Sequence, residues 1–554
     1  MNKKVCSFPI LFALLALLIG TCAVVFPASA QAAPTSTGSI TVSGTVARSY
    51  DAYQIFSANV VDGDSDAKIA TDLAWASDAV RDAALPVLHS AGMPSSQTTA
   101  QEAAEWLNTD SRLTSALSAQ LARSLQSSDA VSVALNAGTA AELPCGYWLI
   151  IADDAIAQDE AGTAPIMALV GGSAVAVKPK AATPKVAKHV LEDSTAAWQK
   201  AADATVADDL YWRLSATVPA GLTAYDTYTV RFVDTMSAGL DPSKVAASMH
   251  VYVAAGADDG FDAVSAGKDG RAGTEPAQGW TDITAQCVTK VAADGTFTVR
   301  TGDLIAALGG ADAFIAGARV VAVYNAPLAS GCNHGIAKGN PNEVYLRYPR
   351  SPFADQSGAA GFARTPSDDA TAYTWDLALT KRGSDGDKPL SGAVLSITDD
   401  RGRTLAANGT WDAEGKATVT TGEDGRVTVS GVDSGKLEVR ELKAPKGYAA
   451  FEGTRSVTVK AEGLDVDQVA AAKPKLTITA ESPLRADSAD GSTGSLEASL
   501  INTPTGTPPS TITGGFMPST GDMAMYAAAA AAVAGAALLV VALLVKRGGG
   551  SHKE

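Results

Sequence analysis

The chain is poor in cysteine, histidine and aromatic residues: among 554 residues there are five Cys, five His and 6% Phe, Trp and Tyr. Two of the cysteines, Cys6 and Cys22, fall in an N-terminal apolar leader, which leaves Cys145, Cys287 and Cys332. Three is an odd number, so a disulfide framework is excluded as the source of stability. Cys287 and Cys332 lie in the same expected unit and could pair, whereas Cys145 reads as a buried free thiol. The histidines are scattered, and His-Glu-x-x-His, Gly-x-Ser-x-Gly and metal-spaced Cys/His clusters are missing. The expectation is therefore a protein without enzymatic turnover, cofactor or metal. Positive charge is also in deficit, with 43 Lys+Arg against 59 Asp+Glu and a net charge of −16. An acidic surface argues against nucleic acid as a partner. The run Asp62-Gly-Asp-Ser-Asp66 has the carboxylates of a calcium loop. It lacks the glycine at loop position 6 and the closing glutamate, so a solvated acidic turn is expected.

What is present begins at the two ends. Lys3 and Lys4 precede an apolar run from Ile10 to Ile19, and the segment closes on Ala28-Ser29-Ala30. This is the pattern of a secretory signal peptide over residues 1–30, cut after Ala30 or Ala32. At the other end an uncharged run from Met523 to Val545 is long enough, at about 1.5 Å per helical residue, to cross a hydrocarbon core of roughly 30 Å. Lys546 and Arg547 behind it read as a cytoplasmic stop. In front of it stands Met517-Pro518-Ser519-Thr520-Gly521. Motif, apolar span and basic tail, in that order over 517–554, resemble the sorting signal of Gram-positive cell-wall proteins, with Met517 in place of the usual leucine. The resemblance implies that a sortase cysteine attacks the Thr520 carbonyl, releases Gly521 onward and passes the acyl group to an amine. The expected address is the cell surface, with the chain membrane-held before cleavage.

Between the ends there is room for three domains of ordinary size. Residues 33–178 open on alternating text in which Ile40, Val42, Tyr50, Tyr53 and Ile55 are core candidates. Helical spacing then predicts helices over 67–91 and 99–125, and strands return at Gly146–Ile151 and Ile166–Val170. The strings YDAYQIF and LPCGYWLIIAD look like the N-terminal domain of sortase-assembled backbone pilins. Residues 179–185 read as an extended, proline-stiffened linker. Residues 186–350 show strand signals separated by turn residues, ending with Val344–Tyr348, the pattern of a β-sandwich. Residues 351–371 are small, polar and turn-forming, and read as a connector. Residues 372–504 form a third β unit. Leu390-Ser-Gly-Ala-Val-Leu395 and Glu441-Leu-Lys-Ala-Pro-Lys-Gly-Tyr448 are similar to the B-type repeat of Gram-positive collagen adhesins and pilins. Residues 505–516 make a Pro/Thr/Gly spacer. The expected class is mainly β: three tandem immunoglobulin-like sandwiches, the first with a helical insertion.

The third unit carries a chemical oddity. Leu377, Leu379 and Lys381 alternate on one face of a strand, which puts a lysine on the core side. That is costly unless something neutralises it, or unless the side chain snorkels to solvent. The resemblance implies a resolution: the Lys381 amine attacks the Asn502 amide, ammonia leaves, and Glu441 shuttles the protons of an isopeptide bond. Burial favours this, because desolvation lowers the pKa of an amine and raises that of a carboxylic acid. The second unit repeats the pattern with Lys188, Asn342 and Asp234, and Lys185 and Asn340 are the neighbours that could be confused with them.

The resemblance also implies an acceptor for Thr520 near the end of the first unit. In GGSAVAVKPK, Val175, Val177, Pro179 and Lys180 fit the family's text, while Gly171 and Lys178 depart from it. Lys180 is the expected acceptor, with Lys178 and Lys185 as rivals. The reading of the whole is a structural shaft subunit of a covalently polymerised fimbria. Its partners would be sortase, identical subunits, peptidoglycan at the fibre base, ancillary pilins and host surface ligands. The alternative is a wall-anchored adhesin or ancillary pilin that binds host matrix.

Overall fold

A computed structural model describes residues 36–506, apart from 44–47, 64–66, 110–111, 153–162, 180–182, 223, 258–277, 353–357 and 359–360. The signal peptide, Lys180, the motif at 517–521 and the apolar run behind it lie outside the described residues. Among the described residues no helix is long and apolar enough to cross a membrane.

The chain is mainly β and builds its sheets in three successive groups. In the first, Ser49–Asp62 is the organising strand of a five-stranded sheet. Period-2 alternation sends its side chains to opposite faces. Tyr50 and Ala52 pack with Trp148 and Ile150 against Ile40 and Val42 of a small three-stranded sheet. Tyr53 and Ile55 pack on the other side against helices Asp78–Ser90, Ala100–Asn108 and Ser115–Gln126. Tyr50 thus takes one side of the strand and Tyr53 and Ile55 the other, as alternation requires, and all five core candidates are buried.

Two helical expectations change. The segment Lys68–Trp75 is a strand, paired antiparallel with Ser49–Asp62, and only Asp78–Ser90 of the 67–91 stretch is helical. Its alanines suit a helix locally, but a long neighbouring strand with unpaired backbone groups takes it into the sheet. The 99–125 stretch breaks into two helices, because Thr114 caps a new N-terminus by accepting from Leu117 N. The first of the two starts at a capping box formed by Thr99 and Glu102.

The second group is a sandwich of a six-stranded and a seven-stranded sheet. Strand Lys185–Glu192 pairs with Tyr211–Val218, which pairs with Ala318–Asn325. The facing sheet centres on Asn340–Pro349 beside Arg231–Met236. A core of large side chains, among them Trp212, Tyr228, Phe232, Phe297 and Tyr348, fills the space between them. The expected connector at 351–371 is partly strand: Phe362–Arg364 and Asp368–Tyr373 both pair with Asn340–Pro349. Asn342 is therefore not on the last strand of this group. The alternation Asp-Asp-Ala-Thr-Ala-Tyr hides Ala370 and Ala372 against the core, a signal weak enough to read as loop.

The third group places a four-stranded sheet over a seven-stranded one. Trp375–Gly383 and Ser495–Asn502 are parallel neighbours at the centre of the smaller sheet. Gly435–Lys443 lies in the larger sheet beside Val394–Thr398. The second and third groups touch directly. Arg403 forms a two-point pair with Asp208, and the Trp375 indole donates to Asp203 at 2.6 Å.

Candidate functional site: two buried sets of lysine, carboxylate and asparagine

In the second unit, strand alternation places Lys188 opposite Leu214 with its side chain in the core between the sheets. Asp234 and Asn342 come from adjacent strands of the facing sheet, where Asp234 pairs with Val344 and Met236 with Asn342. Lys188, Asp234 and Asn342 all have zero exposure, and that matters because no water is at hand to share a charge. Lys188 Nζ contacts Asp234 Oδ2 directly and donates to the Tyr324 hydroxyl at 2.9 Å. That hydroxyl donates to Asp234 Oδ2 at 3.1 Å and accepts from Asn342 Nδ2 at 2.8 Å. The ammonium position also lies 5.5 Å from the Trp212 ring centre and 5.4 Å from that of Tyr324.

Burial dominates the electrostatics. It lowers the Lys188 amine to about 8 despite the opposing pull of Asp234. It raises the Asp234 carboxyl despite Lys188. Both shifts favour the neutral pair, a free amine beside a carboxylic acid. Asp234 Oδ1 and Asn342 Oδ1 are buried without a hydrogen-bond partner among the described residues. A proton on the acid has a carbonyl to serve if the two approach.

The neighbouring asparagine has a different job. Asn340 accepts from Asn333 N and donates to Asn333 O and Ala372 O, which pins a turn to a strand. Lys185 is exposed at the strand end. The backbone of Lys188 is itself held: Asp368 Oδ2 accepts from its N–H at 2.6 Å, and Lys200 Nζ donates to its carbonyl at 2.9 Å.

In the third unit the same residue types meet in another arrangement. Lys381 pairs with Leu500, and Asn502 lies two residues on, opposite Gly383, so both side chains point to the same face of adjacent parallel strands. Glu441 reaches in from the opposite sheet. Asn502 Nδ2 donates to both Glu441 oxygens, each at 2.9 Å. Lys381 Nζ stands 3.9 Å from Glu441 Oε1 and donates to Leu500 O at 3.0 Å. Phe451 N steadies the other carboxylate oxygen at 3.1 Å. Burial lowers the Lys381 amine to about 8, against the attraction of Glu441. Asn502 Oδ1 is buried and unpartnered among the described residues, so a half-turn of the amide would set its carbonyl against the Glu441 carboxyl.

Residues 376–473 match the family profile of the SpaA prealbumin-like fold domain. The match covers most of the third unit. Lys381 and Glu441 lie inside the matched part of it, and Asn502 beyond. Among curated proteins, the chain is similar to the trypsin-resistant surface T6 protein of Streptococcus pyogenes serotype M6, at 30% identity over 129 residues. The match covers 22% of this chain and 22% of that relative's length. Among solved structures, the T6 backbone pilin of the same serotype aligns over 85% of this chain and 98% of its own, with a TM-score of 0.46 and 16% identity. The major pilin SpaD of Corynebacterium diphtheriae aligns over the same shares, with a TM-score of 0.41 and 15% identity.

Three other expected sites read as follows. Cys287 and Cys332 are free thiols, so the expected pair is not formed. Cys287 Sγ contacts Ile283 O at the rim of one sheet, whereas Cys332 sits in a turn against Gly239. Burial pushes both thiols up to about 11. Asp62 is tied to Ser173 and Lys68 as part of a surface network, and Asp64 and Asp66 lie outside the described residues. Lys178 is exposed just after strand Val175–Val177, which the first strand of the structure holds in a parallel pair.

Tyr324 was not legible as a site residue. It sits in Val-Val-Ala-Val-Tyr-Asn, an ordinary core strand, and only the sheet order brings it over Lys188.

Proposed function

We propose that the chain is a load-bearing shaft subunit of a covalently polymerised surface fimbria, and that each of the two sites closes an isopeptide bond. The observation that carries the reading is the repetition: two sandwiches of different architecture each bury a complete set of amine, carboxyl and primary amide. Three such groups are individually costly in a core, and a pair of such sets has a common chemical use.

The steps balance within each site. The neutral lysine amine adds to the asparagine Cγ while the carboxylic acid donates to the amide carbonyl. The tetrahedral intermediate passes a proton from the attacking nitrogen to the leaving one. Ammonia departs, a secondary amide remains and the carboxyl is restored. Burial favours this, because desolvation favours the neutral forms of an amine and a carboxylic acid.

In the third unit the bond would join neighbouring parallel strands near the two ends of the domain. A tensile load entering at one end would then leave by a covalent path rather than through the hydrogen-bonded sheet. In the second it would cross from one sheet to the other. Each link closes a long loop, worth roughly 4–5 kcal/mol by analogy with disulfides. Polymerisation would run through sortase, with Thr520 as donor and Lys180 as acceptor and peptidoglycan at the base. Ancillary pilins and host surface ligands complete the expected partners. The domain match and the similarity to the T6 surface protein support the reading.

Two measurements test it. Wall extracts boiled in SDS should show a ladder of high-mass species that disappears in Lys180→Ala and persists in Lys185→Ala. A single band would favour a free-standing adhesin. Intact mass with peptide mapping should find two ammonia losses, one for each lysine–asparagine pair, and finding neither would remove the cross-links.

A further inference from the structure

The two sites differ in how the carboxyl reaches the amide. Glu441 holds Asn502 Nδ2 with both oxygens at 2.9 Å. Asp234 is one methylene shorter, and its bonds go to Lys188 and Tyr324 rather than to the amide. The space between Asp234 and Asn342 Nδ2 is bridged by one atom, the Tyr324 hydroxyl oxygen. That oxygen also touches the nucleophile, Lys188 Nζ, at 2.9 Å. It is fully buried, and its ring is fixed edge-on to Phe297 at 4.8 Å between centres, so the hydroxyl has little freedom to be elsewhere.

We infer that the Tyr324 hydroxyl is a fourth catalytic group of the second unit, relaying the proton of the attacking Lys188 amine to the Asn342 nitrogen that leaves as ammonia. The inference rests on the cross-linking reading above. In the intermediate, the positively charged Lys188 nitrogen donates a proton to the Tyr324 oxygen while the phenol proton passes to Asn342 Nδ2. The phenol ends as it began, the Cγ–Nδ2 bond breaks, and no outside reactant is needed. A phenolate is not an intermediate, because burial and the nearby Asp234 hold the phenol far above its ordinary value. The relay must pass both protons together. Asp234 meanwhile serves the amide carbonyl. Aspartate and tyrosine thus divide the work that Glu441 does alone in the third unit.

The test times both links in the same molecules. The full chain is synthesised in a short cell-free pulse, sampled over time and peptide-mapped for the Lys188–Asn342 and Lys381–Asn502 amides. Tyr324→Phe keeps the ring and removes the hydroxyl. It should slow the first link by roughly 10²-fold, within the usual range for general acid–base catalysis, and leave the second unchanged. A fluorinated tyrosine at position 324 keeps both ring and hydroxyl and changes only the acidity of the phenol. It should change the rate of the first link by more than about twofold, which a merely structural hydroxyl would not do. Wild-type rates in Tyr324→Phe overturn the inference. Where Tyr324→Phe fails to fold, an unchanged rate with the fluorinated residue overturns it. A wild-type chain that forms no Lys188–Asn342 amide removes the cross-linking reading itself, and the relay with it.

Discussion

The second and third units bury the same three kinds of group, amine, carboxylate and amide, yet they partition them between the sheets in opposite ways. In the third, lysine and asparagine are on adjacent strands of one sheet and the carboxylate comes from the other. In the second, carboxylate and asparagine share a sheet and the lysine comes across the core. Different strand pairings therefore arrive at one cluster, which says that the constraint is on the side-chain ends and not on the topology that delivers them. The difference has a chemical consequence. A glutamate facing the amide spans the gap directly, whereas an aspartate on the neighbouring strand leaves a gap that a tyrosine fills.

The largest expected effects come from removing a link altogether. Asn342→Ala and Asn502→Ala should each lower unfolding stability by roughly 4–5 kcal/mol, measured by denaturant titration of the full chain. The sites lie in separate cores, so the double variant should show the sum of the two losses within about 0.5 kcal/mol. A loss at one site with none at the other would show that only one of the two arrangements closes.

Next is the carboxylate exchange. Glu441→Asp shortens a side chain that has no tyrosine to bridge for it, and should slow formation of the Lys381–Asn502 amide by about 10²-fold in timed peptide maps. A wild-type rate would mean that direct contact with the amide nitrogen is dispensable in the third unit.

The smallest effect is a pH dependence that only an unlinked lysine can show. In Asn502→Ala, Lys381 remains an amine lowered to about 8 by burial. The unfolded chain then binds a proton, up to about pH 10.4, that the folded chain has already released. Stability of this variant should therefore rise as pH increases from about 8 towards 10, by on the order of 1–3 kcal/mol. In the linked protein Lys381 is an amide nitrogen and contributes no such rise. Thermal melts across that range, in variant and wild type, separate the two. A flat difference between them would mean that Lys381 reaches water when it is not linked.

Much of the third site could be read from the chain because strand alternation is a local property. Leu377, Leu379 and Lys381 share a face by spacing alone, as do Leu500 and Asn502, and burial follows from the apolar text around them. Asn342 could not be told from Asn340 in this way, since both continue the alternation of Val344 and Leu346 and both are buried; they differ only in their partners, Asn340 being tied to Asn333 and Ala372 and Asn342 to Tyr324. Nor could Tyr324 be read from the chain, because its place depends on Tyr211–Val218 lying between its own strand and that of Lys188. The segments at 67–75 and 362–373 were misread for a related reason. Each takes its conformation from the strand before it, Lys68–Trp75 from Ser49–Asp62 and the 362–373 strands from Asn340–Pro349, and its own residues are compatible with helix or loop.

By itself, then, the sequence determined which side chains face inward along the strands it marks, the limits of the apolar and polar ends, and that Lys381 stands on a core face. Those follow from periodicity and composition, which act over a few residues. Tertiary structure alone decided which sheet delivers each group, that a tyrosine joins one set and not the other, and that Cys287 and Cys332 stay apart. These depend on pairings between strands separated by scores of residues, where hydrogen-bonded register and core packing, rather than local preference, set the distances between reacting atoms.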